Sequence, residues 1–361
     1  MKVGIITLSG YWNYGNRLQN LALKVALERQ DYVEVTSFKT WQTDELKMYN
    51  APLKFLRQLK NGNLKSYLKL LPRQRNFKKF SRQYLAESTF TVDVLDKNNK
   101  LEKFDKIIVG SDQVWNATWL TEQQLEFFLL HSVSPEKRIA YAASFGIQDF
   151  AGFEAVFKRE LEKFSAISVR EESGQKMVES LIGQKPYLVL DPTLLLSRSD
   201  WENLIGKRNN VSEPYIVEYF LGDMNSEATE RLSKIESEYN EVVKLHDEQD
   251  MSHYSDGPLQ FVRWISDADV VVTDSFHATV FALLFGKSVL ITERSDGKSM
   301  SSRLTTLFNH AGVQPILLDA YTSKNDIPDY SELDLDTKLA GLRSLSVDYL
   351  TSSLNATKET I

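Results

Sequence analysis

The sequence of 361 residues contains no cysteine, which excludes disulfide bonds, thiolate metal sites and a cysteine nucleophile. Histidine is scarce, with five residues, and no grouping of His, Asp and Glu has the spacing of a metal site, so no bound metal is expected. No apolar run approaches the ~20 residues that a membrane-spanning helix needs. The opening MKVGIITLSG lacks the long apolar stretch and the cleavage site of a signal peptide. We therefore expect a cytoplasmic protein.

A surplus of positive charge is also missing, because 49 acidic residues outnumber 43 basic ones and the formal net charge is -6. Proteins that bind nucleic acid usually have a basic surface, so no nucleic-acid partner is expected. The charge is unevenly distributed, however, since residues 46–86 contain eleven Lys or Arg and no Asp or Glu. Apolar residues at helical spacing within this segment predict amphipathic helices.

Two interpretations of the basic segment 46–86 stay open. The first is a set of helices that covers the first domain and presents a solvated Lys/Arg face. The second is a docking surface for an anionic, lipid-linked acceptor. In that case the protein contacts the inner face of the membrane peripherally, with about 1 kcal/mol contributed by each basic residue near the lipid.

Short apolar segments alternate with helix-sized gaps, as parallel strands and crossover helices do. The first series comprises residues 2–8, 32–38, 106–110, 138–144, 166–169 and 187–190. The second series comprises residues 215–221, 241–246, 269–274, 288–292 and 315–318. We predict an α/β chain with two doubly wound, Rossmann-like domains that face a cleft. Their predicted bounds are 1–196, with the basic helical insertion at 46–86, and 197–330, followed by a helical tail at 331–361.

Functional groups of open α/β sheets collect at the carboxyl ends of the strands, and two such junctions lie in the first half. After the first strand, a glycine permits a tight turn, and the helix that follows offers backbone amides to an anion. After the strand at 106–110, the sequence SDQ follows immediately. An ordinary βα turn is the alternative explanation of each junction. The predicted acceptor-binding residues are Asn16, Arg17, Ser111, Asp112 and Gln113.

A third junction, in the second half, contains the candidate catalytic residues. A predicted strand ends at Asp274, and His277 lies near the start of the following helix, where the helix dipole disfavours the histidine cation. A neutral imidazole can act as a general base, and Asp274 is close enough in sequence to orient it. A structural role is the common alternative for a single histidine.

Two arginines are candidates for binding an anionic substrate. Arg170 follows a predicted strand at the head of a helix, and Arg303 lies in a polar loop that leads into another helix. The planar guanidinium forms paired hydrogen bonds with carboxylate and phosphate groups. A surface ion pair is the ordinary alternative for each of them.

The residues at these junctions resemble those of the polysaccharide pyruvyl transferase family. The similar stretches include KVGIITL, YGNRLQNLAL, IIVGSDQVWN, ISVREESG, LDPTLLL and ADVVVTDSFHATVFALLFGK, in order between residues 2 and 307. The resemblance implies a GT-B fold, phosphoenolpyruvate as a co-substrate and no bound cofactor. It implies a transferase that moves a pyruvyl unit to sugar hydroxyls, forms a ketal and releases phosphate, in the biosynthesis of a capsule, exopolysaccharide or cell-wall polymer.

The resemblance also implies roles for individual residues. His277 matches the catalytic histidine of the family, and Arg170 matches an arginine that binds the donor. Many members have an Arg-x-His pattern where this chain has Ser-Phe-His, so one arginine is absent. The expected donor-binding set is Arg170, Ser275, Arg303 and Lys287. Either of the last two is expected to supply the missing positive charge.

Two other functions fit the same fold, because a fold does not fix a function. One is a GT-B glycosyltransferase that uses a nucleotide sugar, and titration with phosphoenolpyruvate and nucleotide sugars separates it from a pyruvyl transferase. The other is a non-catalytic binding module, against which the polar residues at all three junctions count. The central hypothesis is that His277 from one half and Arg170 from the other converge on a small, highly charged anion.

Overall fold

The computed structural model describes residues 1–44, 64–206, 214–246, 252–294 and 301–356. It divides into two compact units. Unit 1 comprises Met1–Leu64, Lys78–Leu195 and Gly341–Ile361, and unit 2 comprises Lys65–Phe77 and Leu196–Ala340. Each unit is built around one parallel sheet flanked by helices, so the predicted α/β architecture with two Rossmann-like units is confirmed.

Unit 1 contains a seven-stranded sheet in the order β3-β2-β1-β4-β5-β6-β7. Its strands are β1 Lys2–Ile6, β2 Glu34–Thr40, β3 Glu87–Val92, β4 Lys106–Val109, β5 Arg138–Ala143, β6 Ala166–Val169 and β7 Tyr187–Leu188. Its helical segments are α1 Tyr14–Glu28, α2 Trp41–Asp44, the part of α3 (Leu64–Tyr84) that follows Phe77, α4 Glu122–Phe128, α5 Glu154–Leu161 and α6 Glu172–Ile182. The strand order reverses between β1 and β4, and ligands of open α/β sheets bind beside the carboxyl ends of the strands at such a switch point.

Unit 2 contains a five-stranded sheet in the order β12-β11-β10-β8-β9. Its strands are β8 Tyr215–Tyr219, β9 Glu241–Lys244, β10 Val270–Thr273, β11 Ser288–Ile291 and β12 Ile316–Leu317. Its helices are α7 Arg198–Ile205, α8 Ser226–Glu236, α9 Pro258–Asp267, α10 Phe276–Leu284 and α11 Ser301–Ala311, followed by the start of α12 (Leu335–Asn355). Every residue of α10 is buried, which explains its continuous apolar sequence VFALL.

The last part of α12 belongs to unit 1. Tyr349, Leu350 and Leu354 join a buried cluster with Val3 of β1 and Leu23 of α1. The Tyr349 hydroxyl donates a hydrogen bond to the carbonyl of Ala140, 2.8 Å away. The C-terminal helix therefore completes the core over one face of the seven-stranded sheet.

The basic segment differs in part from the expectation. Residues 46–63 lie outside the described residues, and Lys65–Phe77 belong to unit 2 rather than to the first domain. Arg73 contacts other residues of unit 2: it is 1% exposed and donates hydrogen bonds from Nη1 to the carbonyls of Tyr254, at 2.5 Å, and Leu245, at 3.4 Å. Its guanidinium also lies over the rings of Phe77 and Tyr254. Arg73 therefore stabilises packing within unit 2 and is not part of a solvated basic face.

Among the helices of the described ranges, none is long and apolar enough to cross a membrane.

A buried carboxylate balances the charges at the amino-terminal edge of β5. Glu160 of α5 is fully buried and accepts a hydrogen bond from Arg138 Nη1 at 3.0 Å. Its other oxygen pairs with His131, Arg159 and Lys163. Burial alone raises the pKa of Glu160, but the hydrogen bonds from Arg159, His131 and Arg138 outweigh burial and lower the pKa to about 2.

We expect Glu160→Gln to lower the free energy of unfolding at pH 7 by about 2 to 3 kcal/mol, because it leaves Arg138 buried without a carboxylate. A carboxylate with a depressed folded-state pKa stabilises fully above its ordinary value of 4.5 and loses this contribution as the pH falls toward 2. The difference between the two proteins should therefore shrink over that interval in urea unfolding curves. A difference that is the same at pH 7 and pH 3 would contradict this explanation.

Candidate functional site

The carboxyl edge of the sheet in unit 1 is shaped by Gly110, which directly follows β4. Its φ is +116°, and a Cβ at this position would lie 2.1 Å from the carbonyl oxygen of Tyr141, so that only glycine fits. The backbone then turns through Ser111 into Asp112, whose φ is +70°. The carbonyl of Asp112 accepts hydrogen bonds from Ser144 N at 3.0 Å and Val114 N at 2.7 Å. This turn therefore holds Ser111 and Asp112 in fixed positions at the switch point.

Arg170, directly after β6, lies at the centre of a buried polar network. Its Nη1 donates to Asp191 Oδ2 at 2.6 Å, and its Nη2 donates to Asp112 Oδ1 at 3.3 Å. Its Nε lies 3.9 Å from Glu171 Oε2. The Ser111 hydroxyl donates to Asp191 Oδ2 at 3.1 Å. The strand ends of β4, β6 and β7 are thus joined through one guanidinium.

The charges in this network are not balanced. One guanidinium and three carboxylates give a formal charge of -2, and all four side chains are at most 9% exposed. Burial alone lowers the pKa of Arg170, but the carboxylates of Asp191, Asp112 and Glu171 outweigh burial and raise the pKa above its ordinary value. An anionic donor close to Arg170 would be repelled by these carboxylates. Donor binding by Arg170 stays a prediction, and this arrangement argues against it.

The other predicted acceptor residues lie around the start of α1 and after β4. Asn13 caps α1 by accepting a hydrogen bond from Asn16 N at 3.3 Å. Arg17 is 1% exposed, and its Nη1 donates to Glu87 Oε1 at 2.9 Å. Among the described residues, Asn16 Oδ1 and Arg17 Nη2 are buried without a hydrogen-bond partner. Gln113 Oε1 accepts from Asn116 Nδ2 at 2.7 Å, so Gln113 is held by its own loop.

Gln19 of α1 connects the start of this helix to the turn after β4, a role that the sequence did not indicate. Its Nε2 donates to Thr7 Oγ1 at 2.7 Å, and its Oε1 accepts from Ser111 N at 3.1 Å. The Thr7 hydroxyl donates to the carbonyl of Ser111 at 3.0 Å. No sequence pattern marks this glutamine as a site residue, because its role depends on a contact with Ser111, 92 positions away.

The carboxyl edge of the sheet in unit 2 is organised by Asp274, directly after β10. Its Oδ1 accepts from Leu221 N at 2.8 Å, and its Oδ2 accepts from Gly222 N at 2.9 Å and from Arg294 Nε at 2.6 Å. Asp274 therefore fixes the loop after β8 and an arginine that follows β11. Its predicted role in orienting His277 stays a prediction.

His277 is the second residue of α10 and is 5% exposed. Ser275 caps this helix, since its hydroxyl accepts a hydrogen bond from Ala278 N at 3.4 Å. The ring of His277 packs edge-on against that of Phe276, with ring centroids 5.3 Å apart. The histidine thus lies at a capped helix start beside the end of β10, as the sequence predicted. His277 and Arg170 belong to different units, so their convergence on one anion stays a prediction.

The two predicted substitutes for the missing arginine differ in position. Arg303 is the third residue of α11, which begins after the carboxyl end of β11, and it is 5% exposed. Lys287, in contrast, directly precedes β11, and the register pairs Ser288 with Val270 at the amino edge of the sheet. Four residues of strand, or about 13 Å, separate that edge from Asp274. Contact between Lys287 and the donor stays a prediction, and this position at the opposite edge of the sheet from Asp274 argues against it.

Within the parts of the chain that the structure describes, no group of three or more His, Asp or Glu residues could hold a metal ion.

Comparisons with known proteins agree with these features. A family model described as polysaccharide pyruvyl transferase matches residues 13–296, most of the chain. A search of curated proteins found no match. Among solved structures, a putative UDP-N-acetylglucosamine 2-epimerase from Listeria monocytogenes is 11% identical, with 98% of this chain and 90% of that chain covered and a TM-score of 0.52. The ADP-heptose LPS heptosyltransferase II of E. coli is 12% identical, with 98% of this chain and 99% of that chain covered and a TM-score of 0.34. At this identity the Listeria structure shows the fold alone, and the predicted GT-B class is confirmed.

Proposed function

We propose that this chain, which belongs to the polysaccharide pyruvyl transferase family, transfers a pyruvyl unit from phosphoenolpyruvate to two hydroxyl groups of a saccharide acceptor. The acceptor is a precursor of a cell-surface polysaccharide or wall polymer. The products are a pyruvate ketal and phosphate. Family membership supports a transferase, and the donor, the ketal and the assignment of residues are the proposal.

The charges at the two strand edges support the assignment of substrates. In unit 1, Arg170 and three carboxylates have a formal charge of -2. In unit 2, two arginines follow the carboxyl end of β11: Arg294, which pairs with Asp274, and Arg303 at the start of α11. Phosphoenolpyruvate carries a carboxylate and a phosphate, so its charge is stabilised by fixed cations. Unit 2 is therefore the donor side, and unit 1 is the acceptor side, where carboxylates and amides suit neutral hydroxyl groups.

The chemistry requires two proton transfers. A proton added to the methylene carbon of phosphoenolpyruvate leaves an oxocarbenium centre, which the first sugar hydroxyl attacks. Phosphate then leaves, and the second hydroxyl closes the ketal. The two hydroxyl protons are balanced by the new methyl group and by the released phosphate. In this proposal His277 accepts or relays a hydroxyl proton, an effect typically worth about 10²- to 10⁴-fold in rate.

The acceptor side is proposed to use the fixed polar groups at the switch point. Ser111 and Asp112 are held by the turn after Gly110, and Asn16 Oδ1 and Arg17 Nη2 offer further buried hydrogen-bonding atoms. Sugar hydroxyls donate and accept hydrogen bonds, so they match such a mixture of groups. A lipid-linked saccharide fits this proposal as well as a free one, because the proposed contacts are to its hydroxyl groups.

The test is mass spectrometry of saccharide acceptors, free and lipid-linked, after incubation with the protein and phosphoenolpyruvate. We expect the mass of a pyruvate ketal on the acceptor, with one phosphate released for each ketal formed. Parallel reactions contain nucleotide sugars in place of phosphoenolpyruvate. A glycosylated product from those reactions alone would identify a glycosyltransferase instead, and no product from any donor would indicate a binding module.

A further inference from the structure

The carboxyl edge of unit 2 contains an arginine that no sequence motif indicates. Arg294 lies three residues after β11 and donates from Nε to Asp274 Oδ2 at 2.6 Å. The carboxylate is 2% exposed and the arginine side chain 17% exposed. The pair therefore joins a buried anion to a cation that reaches the surface of this edge.

The position of Arg294 is fixed on two sides. Asp274 is itself immobilised by the amides of Leu221 and Gly222. The aliphatic part of Arg294 packs against Gly222, where a Cβ would lie 2.8 Å from Arg294 Cδ and 3.0 Å from its Cγ. A larger residue at position 222 would displace the arginine side chain. An arginine held by a carboxylate and by packing loses little freedom when it binds a ligand.

We infer that Arg294 binds the carboxylate or phosphate of the anionic donor and that Asp274 acts as its positioning residue. The inference rests on the proposed function for the identity of the donor. It assigns the missing cation near His277 to a residue that follows the neighbouring strand β11. Because β10 and β11 are parallel and in register to Thr273 and Ile291, their following residues meet at the same edge.

The experiment is titration of the full chain with phosphoenolpyruvate by calorimetry. We expect Arg294→Gln to raise the Kd about 30-fold, as the loss of hydrogen bonds to a charged group does. Arg294→Lys keeps the charge but loses the paired geometry, so a rise of about 5-fold is expected. Asp274→Asn should raise the Kd about 5-fold as well, because the arginine loses the charge that holds it.

The matched control is Arg231→Gln. Arg231 lies midway along α8, has a side chain 23% exposed and pairs with the exposed Glu227, so it resembles Arg294 in exposure and in having a carboxylate partner but lies within a helix rather than in a loop at the end of a strand. Its Kd for phosphoenolpyruvate should equal that of the wild type. Thermal unfolding of every variant shows whether it is folded, and Arg294→Lys provides the result if Arg294→Gln does not fold.

The outcomes separate this inference from the proposed function. A folded Arg294 variant with the wild-type Kd overturns the inference while the donor assignment survives. If the wild type does not bind phosphoenolpyruvate, the proposed function fails, and inorganic phosphate becomes the probe. Weaker phosphate binding by Arg294→Gln than by the wild type then supports an anion site at Arg294. Equal or absent phosphate binding overturns it.

Discussion

Replacement of His277 by glutamine should reduce kcat/KM for pyruvyl transfer by about 10²- to 10⁴-fold, the range that a positioned proton-transfer group contributes. The Kd for phosphoenolpyruvate should change by less than about 3-fold, because the proposed role of His277 is proton transfer to or from a hydroxyl group rather than binding of the donor. Glutamine keeps a polar side chain of similar size at this buried position, so we expect the variant to stay folded. Steady-state phosphate release, together with calorimetry, measures both quantities.

His310 provides the control for this prediction. It lies near the end of α11, whereas Arg303 of the same helix lies near its start. His310→Gln should leave both kcat and the Kd unchanged. Near-normal turnover by the His277 variant would remove the histidine from the mechanism, although the family membership would remain. A parallel loss in both variants would indicate a general effect on folding, which thermal unfolding would detect.

The strands were predictable wherever they are buried on both faces. The segments at β4 and β10, KIIV and VVVT, are buried along their whole length and contain the apolar runs IIV and VVV, because helices cover both sides of a parallel sheet. The edge strand β3 was missed because its sequence ESTFTV mixes polar and apolar residues, as a strand with a single neighbour does. The other edge strands, β7, β9 and β12, contain short apolar runs and were predicted, so the loss of the signal in β3 comes from its mixed sequence rather than from its edge position alone.

Polar residues at the strand ends were predictable where they follow an apolar run closely. Arg170 and Asp274 directly follow a strand, Asp112 lies three residues after β4, and each takes part in the polar contacts of its own edge. Arg294 and Asp191 were not predicted, because their importance arises from partners that are distant in sequence. The membership of Lys65–Phe77 in unit 2 has the same origin, since it depends on carbonyls about 180 residues away from Arg73.

These unpredicted contacts change the interpretation of Arg170. The sequence favoured a donor ligand, while its three carboxylate neighbours indicate an arginine that balances buried negative charge. The two roles have different consequences for stability. Loss of a donor ligand leaves the folded chain nearly as stable as before, whereas loss of a charge-balancing group leaves three carboxylates buried together.

Arg170→Gln is therefore expected to lower the free energy of unfolding at pH 8 by about 3 to 5 kcal/mol, the usual effect of removing one partner of a buried ion pair. Without the guanidinium, the folded-state pKa values of the remaining carboxylates rise above their unfolded values. Carboxylates with raised folded-state pKa values destabilise the folded variant increasingly as the pH rises above their unfolded-state pKa values. The difference in free energy of unfolding between the variant and the wild type should therefore be smaller at pH 5 than at pH 8. Urea unfolding at the two pH values measures this difference.

A double variant and a control variant test this explanation of the stability loss. Arg170→Gln combined with Asp191→Asn removes a carboxylate as well and should recover part of the lost stability, since the two residues share one interaction at 2.6 Å. Arg198→Gln removes an arginine that is 41% exposed and paired with Glu202, and it should cost no more than about 1 kcal/mol. If Arg170→Gln unfolds like the wild type but binds phosphoenolpyruvate more than about 10-fold more weakly, Arg170 is a donor ligand. The assignment of unit 1 to the acceptor would then be wrong.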